Sequence, residues 1–84
     1  MEQYLDLARR AIGILQIAVT EDAPLELLVK QIRCAMFSPM TTNEWEIARL
    51  SSSIAEEIER RGDARHIEGL LEKLAFEVSY ALFD

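Results

Sequence analysis

Cys34 and His66 are the single thiol and the single imidazole of the chain. A Cys–His pair is the smallest unit for thiolate attack, because the imidazole takes the thiol proton. The opposing interpretation is plainer: Cys34 falls on or near the apolar stripe of a helix, where a lone thiol serves as packing. His66 falls in the first turn of the last helix and is expected at the surface. One Cys and one His cannot assemble a zinc site within one chain, and one Cys forms no intrachain disulfide.

A second set of reactive types is Glu56, Glu57 and Glu59 beside Arg60 and Arg61. Clustered carboxylates suit a metal ion or the recognition of charge. However, Glu56–Arg60 and Glu57–Arg61 have the i, i+4 order that supports a solvated helix face. A di-iron bundle would need a Glu-x-x-His motif on two helices, and one His cannot supply it. The glycine-rich phosphate cradles, the nucleophile elbow and H-E-x-x-H are all missing from the sequence. The expectation is a protein that is not an enzyme and holds no cofactor or metal.

Recognition chemistry is better represented. Phe76, Tyr80 and Phe83 recur at i, i+4 and i+7, nearly opposite a second apolar stripe of the same helix, with Gly69 one to two turns upstream. A helix apolar on two sides is either buried between layers or offers a face. Packing beneath the N-terminal helix is one outcome. A partner or self-association surface is the other, which aromatic enrichment and a small residue for close approach would suit. Trp45 projects opposite Ile47, Leu50, Ile54 and Ile58. It serves either as a binding anchor, a role in which Trp is over-represented, or as a cover over the Ser38–Thr42 connection and Met36, Phe37 or Met40. The candidate partner-binding residues are therefore Trp45, Glu56, Glu59, Phe76, Tyr80 and Phe83.

The elements that must position them follow from punctuation and period. Gly and Pro together number only five, which favours a few long helices over many strands. A first helix is expected over roughly Gln3 to Val19, with apolar residues on about half its circumference. Asp22 and Pro24 signal the start of a second, which runs to about Phe37 on a stripe of Leu25, Leu28, Val29, Ile32, Ala35 and Met36. Ser38-Pro39 ends it. Thr41 and Glu44 have capping-box spacing for a third helix, closed by Gly62 as a left-handed residue. Asp63 caps a fourth helix, about Ala64 to Leu82, whose main stripe is Ile67, Leu70, Leu71, Leu74, Val78, Ala81 and Leu82. The expected fold is all-α: one domain over residues 1–84, a compact four-helix bundle whose last two helices form a tight antiparallel hairpin.

Composition narrows the partners. Half of the residues are hydrophobic, enough for a core and too many for disorder. The unbroken apolar runs are short, so neither a transmembrane segment nor a signal peptide is expected, and a lone thiol fits a reducing, cytoplasmic setting. The net charge is −6, and residues 43–84 hold ten acids against five bases. That balance disfavours nucleic acid and anionic membrane and favours a basic protein partner. By size, charge and fold class the chain is similar to toxin-neutralising immunity proteins, secretion chaperones and phage proteins that block nucleic-acid-binding machinery. The expected function is a small acidic module that inhibits or chaperones another protein, most concretely an immunity-type protein against a basic toxin. The alternatives are a homodimeric structural or regulatory protein and a secretion-chaperone-like adaptor.

Overall fold

Thr41 starts the longest well-defined signal in the chain. Its Oγ1 accepts from the Glu44 backbone N–H at 3.1 Å, and the Glu44 carboxylate accepts from the Thr41 N–H at 3.1 Å. This reciprocal capping box stabilises a helix start by about 1 kcal/mol. In the computed structural model, which describes residues 2–36 and 38–83 without the side chains of Glu2, Leu82 and Phe83, four helices form and the described residues contain no strand. They are α1 (Glu2–Leu15), α2 (Leu25–Arg33), α3 (Thr42–Glu59) and α4 (Ala64–Phe83).

Helix ends depart from the expected positions for local reasons. Helix α1 stops at Leu15, not near Val19, because Gln16 turns left-handed with φ 58°. The Gln16 and Ile17 N–H groups then bond back to the Gly13 and Ile12 carbonyls, the paired bonds of a Schellman ending. The same ending closes α3, where the left-handed residue is Arg61, with φ 57°, and not Gly62. Gly62 comes one place later, and its N–H bonds the Glu57 carbonyl at 2.9 Å. Arg61 offsets its backbone cost through its neighbours: its guanidinium lies 5.5 Å over the Tyr4 ring and donates to the Ile58 carbonyl at 2.7 Å. The Tyr4 hydroxyl donates to the Gly62 carbonyl at 2.7 Å, tying α1 to this turn.

Asp22 does not cap α2. The N-cap residue is Pro24, extended and without a side-chain acceptor, and its carbonyl takes the Leu27 and Leu28 N–H groups. Helix α2 also ends at Arg33, ahead of Ser38-Pro39, and the chain leaves the helix so that Met36 packs against the core. Phe37, the expected end, lies outside the described residues. Asp63 behaves as expected: its carboxylate accepts from the Arg65 N–H at 3.0 Å.

The core is aliphatic. Leu7, Ala8, Ala11 and Ile12 of α1 meet Leu28, Val29 and Ile32 of α2, Ile47, Leu50, Ile54 and Ile58 of α3, and Ile67, Leu70, Leu71 and Leu74 of α4. Each large member contributes about 1.5–3 kcal/mol by leaving water. Ser51 is buried with them, and its hydroxyl donates to the Ile47 carbonyl at 2.8 Å. The Cα radius of gyration of 11.9 Å matches the roughly 12 Å of a folded domain of this length. Helices α3 and α4 form the most extensive pair, an antiparallel hairpin across residues 60–63. Helices α1 and α3 each touch all three others, whereas α2 and α4 do not meet. Helix α4 therefore occupies a corner and has an outer side that no other helix covers.

Candidate functional site

The outer side of α4 carries the aromatic stripe. Phe76 is 67% exposed and Tyr80 50% exposed, with ring centroids 6.4 Å apart and planes tilted by 30°. Packing beneath the N-terminal helix is therefore not the fate of Phe76 and Tyr80, although α1 does meet α4 elsewhere. The Phe83 side chain lies outside the described residues. Trp45, in the first turn of α3, is 62% exposed, and Met40 in the preceding loop is more open still. Trp45 thus leaves Met40 uncovered, and Phe37, another residue expected beneath it, lies outside the described residues.

The carboxylate candidates separate from the aromatic pair. Glu56 is exposed and pairs with Arg60 at 3.7 Å, while Arg60 also reaches Glu57 at 2.6 Å. Glu59 is exposed and pairs with Arg33, linking α3 to α2. Exposed pairs of this kind contribute about 0–1 kcal/mol. Trp45 and Glu56 share the outer face of α3, eleven residues or about 16 Å apart at 1.5 Å per residue. The five candidates whose side chains are described thus do not converge on one point. Phe76 and Tyr80 form one place, Trp45 with Glu56 forms a second, and Glu59 belongs to the α2–α3 contact.

Between α3 and α4, an open groove of about 390 Å³ lies alongside Phe76. Buried Leu50 and half-buried Gly69 form its floor, and exposed Phe76 forms a wall. Its rim bears Glu46 and Glu77 near α3, with Glu72 and Lys73 on α4. The Asn43 side-chain amide donates to Glu77 at 3.0 Å and fixes that rim to the start of α3. A hydrogen bond from Arg49 holds the Glu46 carboxyl below its usual pKa, helped by the charges of Arg49 and Lys73, and Glu46 in turn raises Arg49. Both stay charged across the neutral range. Gly69 is conspicuous here: a helix-interior glycine costs about 1 kcal/mol relative to alanine, yet a Cβ at this position would meet nothing within 4 Å. Packing inside the chain does not account for it.

A second depression of about 560 Å³ lies between α1 and the loop after it, near Arg9, Ile12, Gly13 and Val19. Arg9 crosses it to donate to the Glu21 carbonyl at 3.1 Å. Cys34, expected as packing, is exposed at the C-cap of α2, and His66 is exposed as expected. Among the described residues, no three His, Cys, Asp or Glu side chains are grouped so as to hold a metal ion, and no helix is long and apolar enough to cross a membrane.

The groove was only half accessible from sequence. Gly69, Glu72, Lys73 and Phe76 share one face of α4 by their 3–4 spacing, so their alignment was there to be found. Glu46 and Leu50 reach it from α3 through the register of the hairpin, which spacing along a single helix does not encode. No protein-family model, curated protein or solved structure matches the chain.

Proposed function

We propose that the chain is a non-catalytic protein-binding module that docks through the outer sides of α3 and α4. One observation carries this reading. Among the described residues, the buried core is aliphatic apart from Ser51, Tyr4 is the one aromatic side chain packed against it, and the large aromatic residues Trp45, Phe76 and Tyr80 stand exposed outside it. Aromatic side chains that the fold does not use are the anchors that dominate binding energy at interfaces. The net charge of −6 favours a basic partner and speeds encounter with it. In its most concrete form the module inhibits or chaperones such a partner in the cytoplasm, as an immunity-type protein would with a basic toxin.

The test is capture from host extract on immobilised wild-type chain and on the Trp45→Ala and Phe76→Ala variants, with mass spectrometry of what is retained. A basic protein held by the wild type and lost by at least one aromatic variant is the expected result. Equal retention by all three, or retention of nothing, contradicts the reading.

A further inference from the structure

The groove beside Phe76 carries an inference about the partner's chemistry, and it rests on the reading of the α3–α4 hairpin as a docking face. Its floor exists because residue 69 lacks a side chain, and a Cβ there would point into open space. Leu50 shows at the bottom, Phe76 stands at one side two turns along from Gly69, and the Tyr80 ring lies beside that of Phe76 outside the groove lining. The rim sets three carboxylates, Glu46, Glu72 and Glu77, against one ammonium, Lys73, with Glu46 already paired to Arg49 and Glu77 accepting from Asn43. Glu72 and Lys73 make no hydrogen bond or ion pair among the described residues, so both remain available to an incoming group.

We propose that this groove receives an α-helix of another protein whose apolar side chains are flanked by Lys or Arg. The apolar residues seat on Leu50 and Gly69 against Phe76, and the flanking cations meet the carboxylate rim. A helix suits the groove better than an extended segment. An extended peptide gains its affinity by joining a sheet edge, and the described chain has no strand to offer. A helix arrives with its backbone groups already bonded to one another. A second copy of this chain is a poor occupant: it would bring its own net charge of −6 to the same acidic rim.

The test uses the full chain, labelled with nitrogen-15, and two designed helical peptides of about 18 residues, or five turns. Both carry the same leucine face; one is flanked by Lys and Arg, the other by Glu. The basic peptide is expected to shift the amides of Leu50, Gly69, Glu72, Phe76 and Glu77, and to weaken as salt is raised. The acidic twin leaves them in place. Gly69→Leu, which fills the floor, and Glu72→Lys, which alters only the rim, should each weaken the basic peptide by about tenfold or more, with unchanged circular dichroism. Equal shifts from both peptides, shifts from neither, or groove amides that move with protein concentration alone would overturn the proposal. Shifts confined to the surroundings of Trp45 would also overturn it. They would leave the broader protein-binding reading standing, which separates the two failures.

Discussion

Helix α4 is apolar on two sides, and the two sides do different work. Ile67, Leu71 and Leu74 are buried to completion in a core shared with three other helices. Phe76 and Tyr80, on the same twenty-residue helix, remain at least half in water. The inner side is branched and aliphatic, shaped for close packing in fixed rotamers. The outer side combines flat aromatic area with a glycine-floored groove and a charged rim. Hydrophobic content alone does not distinguish the two; position at a corner of the bundle does. The inner side should therefore govern stability and the outer side recognition.

The sharpest way to break that division is Leu74→Ala. A cavity at a fully buried site costs about 2–5 kcal/mol, and chemical denaturation should show a loss in that range. A change under 1 kcal/mol would mean that the inner side is not the core described. Gly69→Ala probes the outer side in the opposite direction. With open space for its Cβ, alanine should raise stability by about 0.5–1 kcal/mol, read as a higher denaturation midpoint. Phe76→Ala should stay within about 0.5 kcal/mol of the wild type, as substitutions away from the core do, and a larger loss would blur the two sides.

The smallest effect is expected at Glu46. Its folded pKa lies below the usual carboxylate value because of Arg49. Its contribution to stability is therefore present above the unfolded pKa and is lost as pH falls through the folded one. The difference between wild type and Glu46→Gln in thermal midpoint should be slight at neutral pH, since solvent reaches both members of the pair, and should vanish in acid. A difference that grows in acid would refute the assigned pairing.

The apolar stripes of the helices, the Thr41–Glu44 capping box and the Asp63 cap were legible in the sequence because each depends on residues within a few positions of one another. The stripe holds as far as Ile32 in α2 and as far as Val78 in α4, since Ala81 is exposed and the Leu82 side chain lies outside the described residues. The ends of α1 and α3 were not. Gln16 and Arg61 adopt the left-handed turn usually given to glycine, and Arg61 is held there partly by Tyr4, 57 positions away in the sequence. Pro24 begins α2 where Asp22 was expected, since a nearby acceptor does not ensure a cap when the following backbone turns without it. For the site, spacing identified Phe76 and Tyr80 as surplus to one stripe but left open whether another helix would cover them. That answer depends on which corners of the bundle meet, a property of packing and not of any one segment. The Glu56–Arg60 pair was legible from its i, i+4 spacing, whereas the pairing of Glu59 with Arg33 joins α3 to α2 and depends on packing.

The most direct test of the central claim is equilibrium denaturation of one variant carrying Trp45→Ser, Phe76→Ser and Tyr80→Ser together. If these aromatic residues lie outside what holds the fold together, the variant should unfold cooperatively with a stability within about 1 kcal/mol of the wild type, in line with the small effects of surface changes. A loss of several kcal/mol, or a broad non-cooperative transition, would place them in the core and contradict the account.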